Sequence, residues 1–175
     1  MRRPERRFPD VLEPLAVISA QVWHCKYDSL VALGDLQNLE TLVVATYPDE
    51  SLEPIGRLEK LRYLSLLHFP RVSDLSPLAG CAELVTVSLA TLPSWDTSGK
   101  IIQVESLEPL ARLPRLEHLE LFGVCPPDRR LAPLLSAPSL ASLRVSKYPE
   151  AESGDFYDRT GVSADFNPKP AYASA

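Results

Sequence analysis

The chain has 175 residues, of which 45% are hydrophobic and 23% charged, a balance that predicts one globular domain and excludes a wholly disordered protein. The formal net charge of −5 argues against a nucleic-acid-binding protein, because such proteins normally carry a basic field over the binding face. No apolar stretch approaches the roughly 20 residues of a membrane-spanning helix, so we expect no membrane insertion.

The chain contains three cysteines, Cys25, Cys81 and Cys125. An odd number of widely separated cysteines matches neither a disulfide framework nor a zinc motif, and this favours a reducing compartment. Near the N-terminus, Asp10, Glu13 and Pro14 interrupt the apolar run that a secretion signal requires. We therefore expect a cytoplasmic protein.

The first structural pattern lies at residues 8–29. A stretch reading VLEPL, at 11–15, is followed by apolar residues in alternation at Ile18, Ala20 and Val22. Alternation is typical of a strand with one buried face. Residues 8–29 are therefore predicted to be a shortened first repeat, a turn followed by a strand.

Five clearer copies of this unit start at residues 30, 52, 75, 107 and 131. A spacing of three keeps one side chain inward along a tight 3₁₀-like arc, whereas a spacing of two belongs to a strand. No repeat can bury its leucines alone, so we predict that the repeats stack and that their strands form one parallel sheet. The second copy shows the spacing clearly, with apolar residues at Leu52, Ile55, Leu58, Leu61, Leu64 and Leu66.

Proline excludes a solenoid made of long helices. Proline would break the interior of a long helix, but it suits the first turn of a short one. It occurs at the same point of four arcs, at Pro54, Pro77, Pro109 and Pro133.

The stretch SDLSPLAGCAELVTVSL, from Ser73 to Leu89, resembles the leucine-rich repeats of the internalin and phosphatase-regulator type. The resemblance covers about residues 11–149. It implies a curved α/β solenoid with short parallel strands on the concave face and short 3₁₀ or irregular arcs on the convex face. That family is defined by a scaffold used for many partners, so the resemblance implies binding without naming the partner. The family's asparagine after each strand is replaced here by Thr46, His68, Thr91, Gly123 and Lys147.

Residues 94–106 interrupt the period between the third and fourth repeats. Insertions in repeat proteins often project as binding loops, and Trp95 is the candidate contact in this one. The alternative is a neutral insertion in which Ile101, Ile102 and Val104 fold back onto the edge of the repeat. If the loop projects, the chain could be a structural subunit that assembles through it.

We predict a C-terminal cap at residues 150–161, a short helix that starts behind Pro149 and stops at Gly161. Phe156 or Tyr157 would cover the last leucines. Residues 162–175 are predicted to form a flexible tail. Residues 1–175 would thus be a single leucine-rich-repeat domain, with the five full repeats at 30–149.

Sequence motifs for chemistry are few. The stretch TSGKI lacks the first glycine of a phosphate loop, because Ser94 stands there. His24 and His68 fall at the replaced asparagine position, where a structural role is expected. His118 and Glu120 point the same way from one strand and suggest a hydrolase-like pair, although no nucleophile accompanies them in the sequence. Glu120 is more simply expected to pair with Arg144 on the next strand. We therefore predict no catalytic, cofactor-binding or metal-binding residues.

Apolar groups on the concave face are not explained by the core of the repeats, because alternation turns them outward. Trp23, Leu67 and Phe122 would form an apolar stripe there, and such stripes indicate a protein partner. The sequence therefore predicts a non-enzymatic protein-binding module, in one form an inhibitor or immunity-type protein, with neither nucleic acid nor membrane as partner. The predicted binding residues are Trp23, Tyr63, Leu67, Trp95, His118, Glu120, Phe122 and Arg144.

Overall fold

The computed structural model describes residues 6–23 and 26–172, without the side chain of Asp96; His24 and Cys25 lie outside the described residues. Short strands and short helical arcs alternate along the chain. The strands are β1 Ser19–Val22, β2 Thr41–Ala45, β3 Tyr63–Leu67, β4 Thr86–Ala90, β5 Ile102–Gln103, β6 His118–Phe122, β7 Val124–Cys125 and β8 Ser142–Val145. The α-helices are α1 Glu53–Gly56, α2 Pro93–Thr97, α3 Glu108–Ala111 and α4 Glu150–Thr160, and 3₁₀-helices occupy Pro14–Ala16, Val31–Asp35, Ser76–Gly80 and Ala132–Ser136.

Six of the strands form one parallel sheet in the order β1-β2-β3-β4-β6-β8. The pairing follows the repeat without slippage: Leu42 lies opposite Leu64, and Leu64 lies opposite Val87. Equivalent residues of successive repeats therefore form columns, and these three are fully buried. The predicted α/β solenoid of parallel strands and short arcs is confirmed.

Proline occupies the first turn of four of the five arcs that continue the motif, among them α1 and α3, where its fixed φ suits the start of a helix. Polar side chains also stabilise the starts of the arcs, because each accepts a hydrogen bond from the backbone N–H two residues later. The Ser51 hydroxyl accepts a hydrogen bond from the Glu53 amide at 3.1 Å, and Asp74 accepts one from the Ser76 amide at 2.7 Å. Such local bonds favour a turn over a longer helix.

Glycine allows the arcs to approach one another closely. A Cβ added at Gly56 would lie 2.4 Å from the Pro77 carbonyl oxygen, and one added at Gly80 would lie 2.2 Å from the Gly56 carbonyl oxygen. Side chains at these two positions would push neighbouring repeats apart.

The insertion folds back onto the solenoid along part of its length. Ile102 and Val104 are buried, and β5 pairs with β7 in a second, two-stranded sheet. The Ile102 amide donates to the Gly123 carbonyl at 2.9 Å, and the Val104 amide donates to the Cys125 carbonyl at 3.1 Å. Helix α2 carries Trp95 at the start of the insertion.

The two ends of the solenoid differ. At the C-terminal end, α4 begins behind Pro149, ends at Gly161 with φ near +67°, and buries Phe156 against the core. At the N-terminal end, the first arc has no buried residue, and Leu12 is 96% exposed.

The segment after α4 contacts the edge of the sheet, and the predicted flexibility of residues 162–175 stays a prediction. Ser163 forms a parallel bridge with Ser142 of β8, because the outer edge of β8 offers unpaired backbone groups. The Leu143 amide donates to the Ser163 carbonyl at 2.8 Å, and the Ser163 amide donates to the Ala141 carbonyl at 3.0 Å. Residues 173–175 lie outside the described part of the chain.

Candidate protein-binding surface

The concave face is formed by the outward positions of the six parallel strands. Its burial is uneven, because four polar residues along it are nearly inaccessible: Thr41, Thr86, Ser88 and Ser142. By contrast, Gln21 and Arg144, at the two ends of the sheet, are exposed. The face is therefore divided into covered and accessible parts.

An ordered polar cluster lies on β4, β6 and β8. Arg144 Nη1 is 3.1 Å from Glu120 Oε1, so the predicted pairing of these two residues is present in the structure. Glu120 Oε2 accepts a second hydrogen bond from the Ser88 hydroxyl at 2.6 Å. The Arg144 guanidinium also lies over the Phe122 ring, 5.2 Å from its centroid. Arg144 is thus held by both a carboxylate and an aromatic ring while half of its side chain faces solvent.

His118 has a different partner from Glu120. Its Nδ1 lies 2.8 Å from the Ser142 hydroxyl, and its Nε2 lies 3.9 Å from Glu117 Oε2. The sequence-based interpretation found no nucleophile near His118, whereas the structure places a serine hydroxyl within hydrogen-bond distance. The repeat spacing alone predicts that these two residues are neighbours, because His118 and Ser142 occupy the same position of successive strands. Ser142 is nearly inaccessible.

The predicted apolar stripe contains residues of unequal exposure. Trp23 is 55% exposed, whereas Leu67 and Phe122 are half-buried. In the sheet register, Ala45 lies beside Leu67, and Ala90 lies between Leu67 and Phe122. Leu67 and Phe122 are therefore separated by a small side chain. Their role in binding stays a prediction.

Trp95 lies off the concave strands, on α2, and its ring is partly buried. The ring packs edge-on against His68, with centroids 4.6 Å apart, and the Lys100 ammonium lies 5.6 Å from its centroid. Burial lowers the pKa of His68, whose Nδ1 has no hydrogen-bond partner among the described residues. The structure thus gives Trp95 intramolecular contacts, and its role as a protein contact stays a prediction.

The C-terminal segment passes along the strand starts, which the sequence analysis did not foresee. A cavity lies between Asp165, Asn167 and Pro168 on one side and His118 and Ser142 on the other. The next cavity along the segment is bounded by Lys169 and Ala171 together with Thr41, Tyr63 and Thr86. Burial raises the pKa of Tyr63, and the nearby Tyr172 and Glu120 raise it further.

Within residues 6–23 and 26–172, no group of three or more histidine, cysteine or acidic side chains is arranged to hold a metal ion. Burial raises the pKa of the Cys81 thiol to about 11, and Cys81 and Cys125 are free and buried. Among the described helices, none has the length and apolar character needed to cross a bilayer.

Comparison with solved structures supports the architecture. The chain is similar to internalin C2 of Listeria monocytogenes, with a TM-score of 0.54 and 23% sequence identity. The match covers 69% of this chain and 48% of the internalin chain, so it spans about half of that protein. No family model matches the sequence. The likeness, together with the stacked parallel strands, shows a leucine-rich-repeat fold.

Proposed function

We propose that this protein is a non-enzymatic binding module that holds a protein partner on its concave face. The observation that carries the proposal is the ordered, half-exposed Arg144, fixed by Glu120 and Phe122. An arginine that is already ordered loses less side-chain entropy when a partner binds. Arginine and tryptophan are also enriched among the residues that contribute most to binding, and Trp23 is exposed at the opposite end of the face.

The size of the face supports a protein partner over a small ligand. Six strands spaced by about 4.8 Å give a surface roughly 25 to 30 Å across, which suits a standard protein interface. One concrete form is an inhibitor or immunity-type protein whose concave face covers the working surface of an enzyme. Stoichiometric addition of this protein to an enzyme encoded beside it would then abolish that enzyme's activity, and unchanged activity would count against this form.

Affinity capture with matched variants tests the proposal. The baits are the wild-type protein, the double variant Trp23→Ala, Arg144→Ala, and the control Arg115→Ala. Arg115 pairs with Glu83 across neighbouring repeats, as Arg144 pairs with Glu120, but it precedes β6 and does not lie on the concave face. Both arginines are about equally exposed.

We expect the control to recover the partner as the wild type does, and the double variant to recover at least about ten-fold less. Equal recovery by all three folded baits would contradict binding through the concave face. Circular dichroism and thermal unfolding establish that each bait is folded.

The first alternative is an assembly subunit that binds through the 94–106 segment. Exposed Ser98 and Lys100 are the side chains to change, because Ile102 and Val104 belong to the core. Loss of assembly in a Ser98→Glu, Lys100→Glu variant, with concave-face binding intact, would favour this alternative.

The second alternative is a hydrolase-like enzyme that uses His118. Its supporting observation is the 2.8 Å contact between His118 Nδ1 and the Ser142 hydroxyl, while Glu120 is engaged by Ser88 and Arg144. Any hydrolysis by the purified protein should then disappear in both His118→Ala and Ser142→Ala variants. Activity that survives both changes would remove this alternative.

A further inference from the structure

The C-terminal segment crosses the sheet at the strand starts. Ser163 pairs with β8. Asp165, Asn167 and Pro168 border the cavity over β6 and β8, and Lys169 and Ala171 border the cavity over β2, β3 and β4. The segment therefore passes nearly the whole width of the sheet, approximately perpendicular to the strands. It does so on the side where Thr41, Thr86 and Ser142 are nearly inaccessible.

The segment has the character of an extended peptide ligand. Phe166, Pro168 and Pro170 are half-buried, whereas Asn167 and Lys169 between them are exposed. Half-burial of every second residue is the pattern of an extended segment that turns one side toward the protein. Proline provides no backbone N–H and holds an extended conformation, so this stretch is pre-formed for a groove and cannot simply continue a strand.

The surface beneath the segment is suited to such a ligand. Tyr63 provides an aromatic side chain, and the cavity beside it is also bounded by the small residues Thr41 and Thr86. Lys169 and Ala171 border the same cavity as Tyr63, which places the end of the segment near this side chain. Grooves that bind proline-rich peptides are commonly lined by aromatic residues.

We propose that the strand-start side of the concave face is a groove for an extended peptide with an aromatic residue followed by alternating prolines. The chain's own residues 164–172 are its tethered occupant. The protein partner presents a segment of the same chemistry and displaces this occupant when it binds. This inference rests on the proposed function, since it names the chemistry that the concave face recognises.

Tethering determines how strongly the occupant competes. A short flexible connection gives an effective concentration of about 1 mM. For a peptide that binds the open groove with a dissociation constant near 100 μM, the tethered copy lowers the apparent affinity by about ten-fold. A partner segment must bind tightly enough to displace residues 164–172. Removal of these residues should therefore increase the affinity of the groove for such a segment.

The test uses a fluorescein-labelled peptide with the sequence of residues 164–172, ADFNPKPAY. Fluorescence anisotropy measures its binding to the full chain and to a chain that ends at Ser163, which keeps the bridge to β8. A control peptide carries alanine in place of Phe166, Pro168 and Pro170. In the shortened chain, Thr86→Arg fills the groove, and Ser65→Arg adds the same group on the neighbouring strand, outside the cavity beside residues 169–171.

We expect the shortened chain to bind the peptide about ten-fold more tightly than the full chain does. We expect the control peptide and the Thr86→Arg variant to lose binding, and the Ser65→Arg variant to retain it. No binding to the folded shortened chain, or equal binding to both chains, would overturn the proposal. If the shortened chain fails to fold, the full-length Phe166→Ala, Pro168→Ala, Pro170→Ala variant replaces it, with the same expected increase and the same contradicting result.

Failure of this inference is distinguishable from failure of the proposed function. Residues Trp23 and Arg144 lie outside the two cavities bounded by the segment. If partner capture depends on Trp23 and Arg144 but the peptide does not bind, the proposed binding function stands and only the proposed peptide groove is refuted.

Discussion

Two copies of the same four residues have opposite environments in this protein. The sequence LEPL occurs at residues 12–15 and again at 107–110, and each copy begins a short helical arc with proline in its first turn. Leu107 and Leu110 are fully buried, whereas Leu12 is 96% and Leu15 61% exposed. The local sequence therefore determines the turn, but burial of its leucines requires a neighbouring repeat on each side.

The two ends of the sheet show the same contrast. Beyond β8, α4 buries Phe156 and Ser163 pairs with the strand edge. Beyond β1, the described residues place no strand against the sheet, and Leu12, Leu15 and Ile18 face solvent. Contacts between stacked repeats therefore stabilise the middle and the C-terminal end of the solenoid more than its N-terminal end.

The largest expected effect comes from the two LEPL copies themselves. Leu107→Ala should lower the free energy of unfolding by about 2 to 5 kcal/mol, because it leaves a cavity between stacked repeats. Leu12→Ala should change it by less than about 0.5 kcal/mol, because this side chain is already in water. Urea titration of both variants measures the difference. Similar losses in the two variants would mean that the local motif, not stacking, determines stability.

A pair of glycines extends the comparison to the arcs. Gly56→Ala should destabilise the protein by about 1 to 3 kcal/mol, because its Cβ would lie 2.4 Å from the Pro77 carbonyl oxygen of the next repeat. Gly154→Ala, within α4, meets no atom within 4 Å and should stabilise the protein by about 0.5 to 1 kcal/mol. Thermal unfolding monitored by circular dichroism gives both values. A neutral Gly56→Ala variant would contradict close packing of the arcs.

The smallest expected effect is a response of the stacked interior to alkaline pH. Burial raises the pKa of Cys81 to about 11, so above pH 9 the unfolded chain loses this proton while the folded chain keeps it. The free energy of unfolding should therefore fall as pH rises from 9 to 10, by at most about 1.4 kcal/mol from this thiol. Burial also raises the pKa of Tyr47 and Tyr148, which extends the fall above pH 10.

Urea titrations at pH 8, 9 and 10 measure this slope. In Cys81→Ala, the decrease between pH 9 and 10 should become shallower even though the variant is less stable overall. An identical slope in both proteins would show that Cys81 is not the responsible group.

Much of the fold was predictable because the repeat spacing is regular. The column of Leu42, Leu64 and Val87 follows directly from the apolar period, and so does the pairing of Glu120 with Arg144, which occupy equivalent positions. Proline and glycine marked both ends of α4, since each has a specific conformational role there.

The concave face was less predictable, because the exposure of its residues depends on what crosses it. Thr41 and Thr86 occupy outward positions of their strands, yet they are nearly inaccessible beside the C-terminal segment. In the C-terminal segment, Phe166, Pro168 and Pro170 occupy every second position and are half-buried, which their sequence spacing alone did not indicate. The contact between His118 and Ser142 could have been found from the shared register alone.

Hydroxyl-radical footprinting of the free protein and of its complex with the captured partner tests the central claim most directly. Binding on the concave face predicts that Trp23 and Phe122 lose reactivity in the complex, while exposed Leu12 and the convex Leu135 keep theirs. Protection of Leu12 or Leu135, with Trp23 and Phe122 unchanged, would contradict a concave binding face.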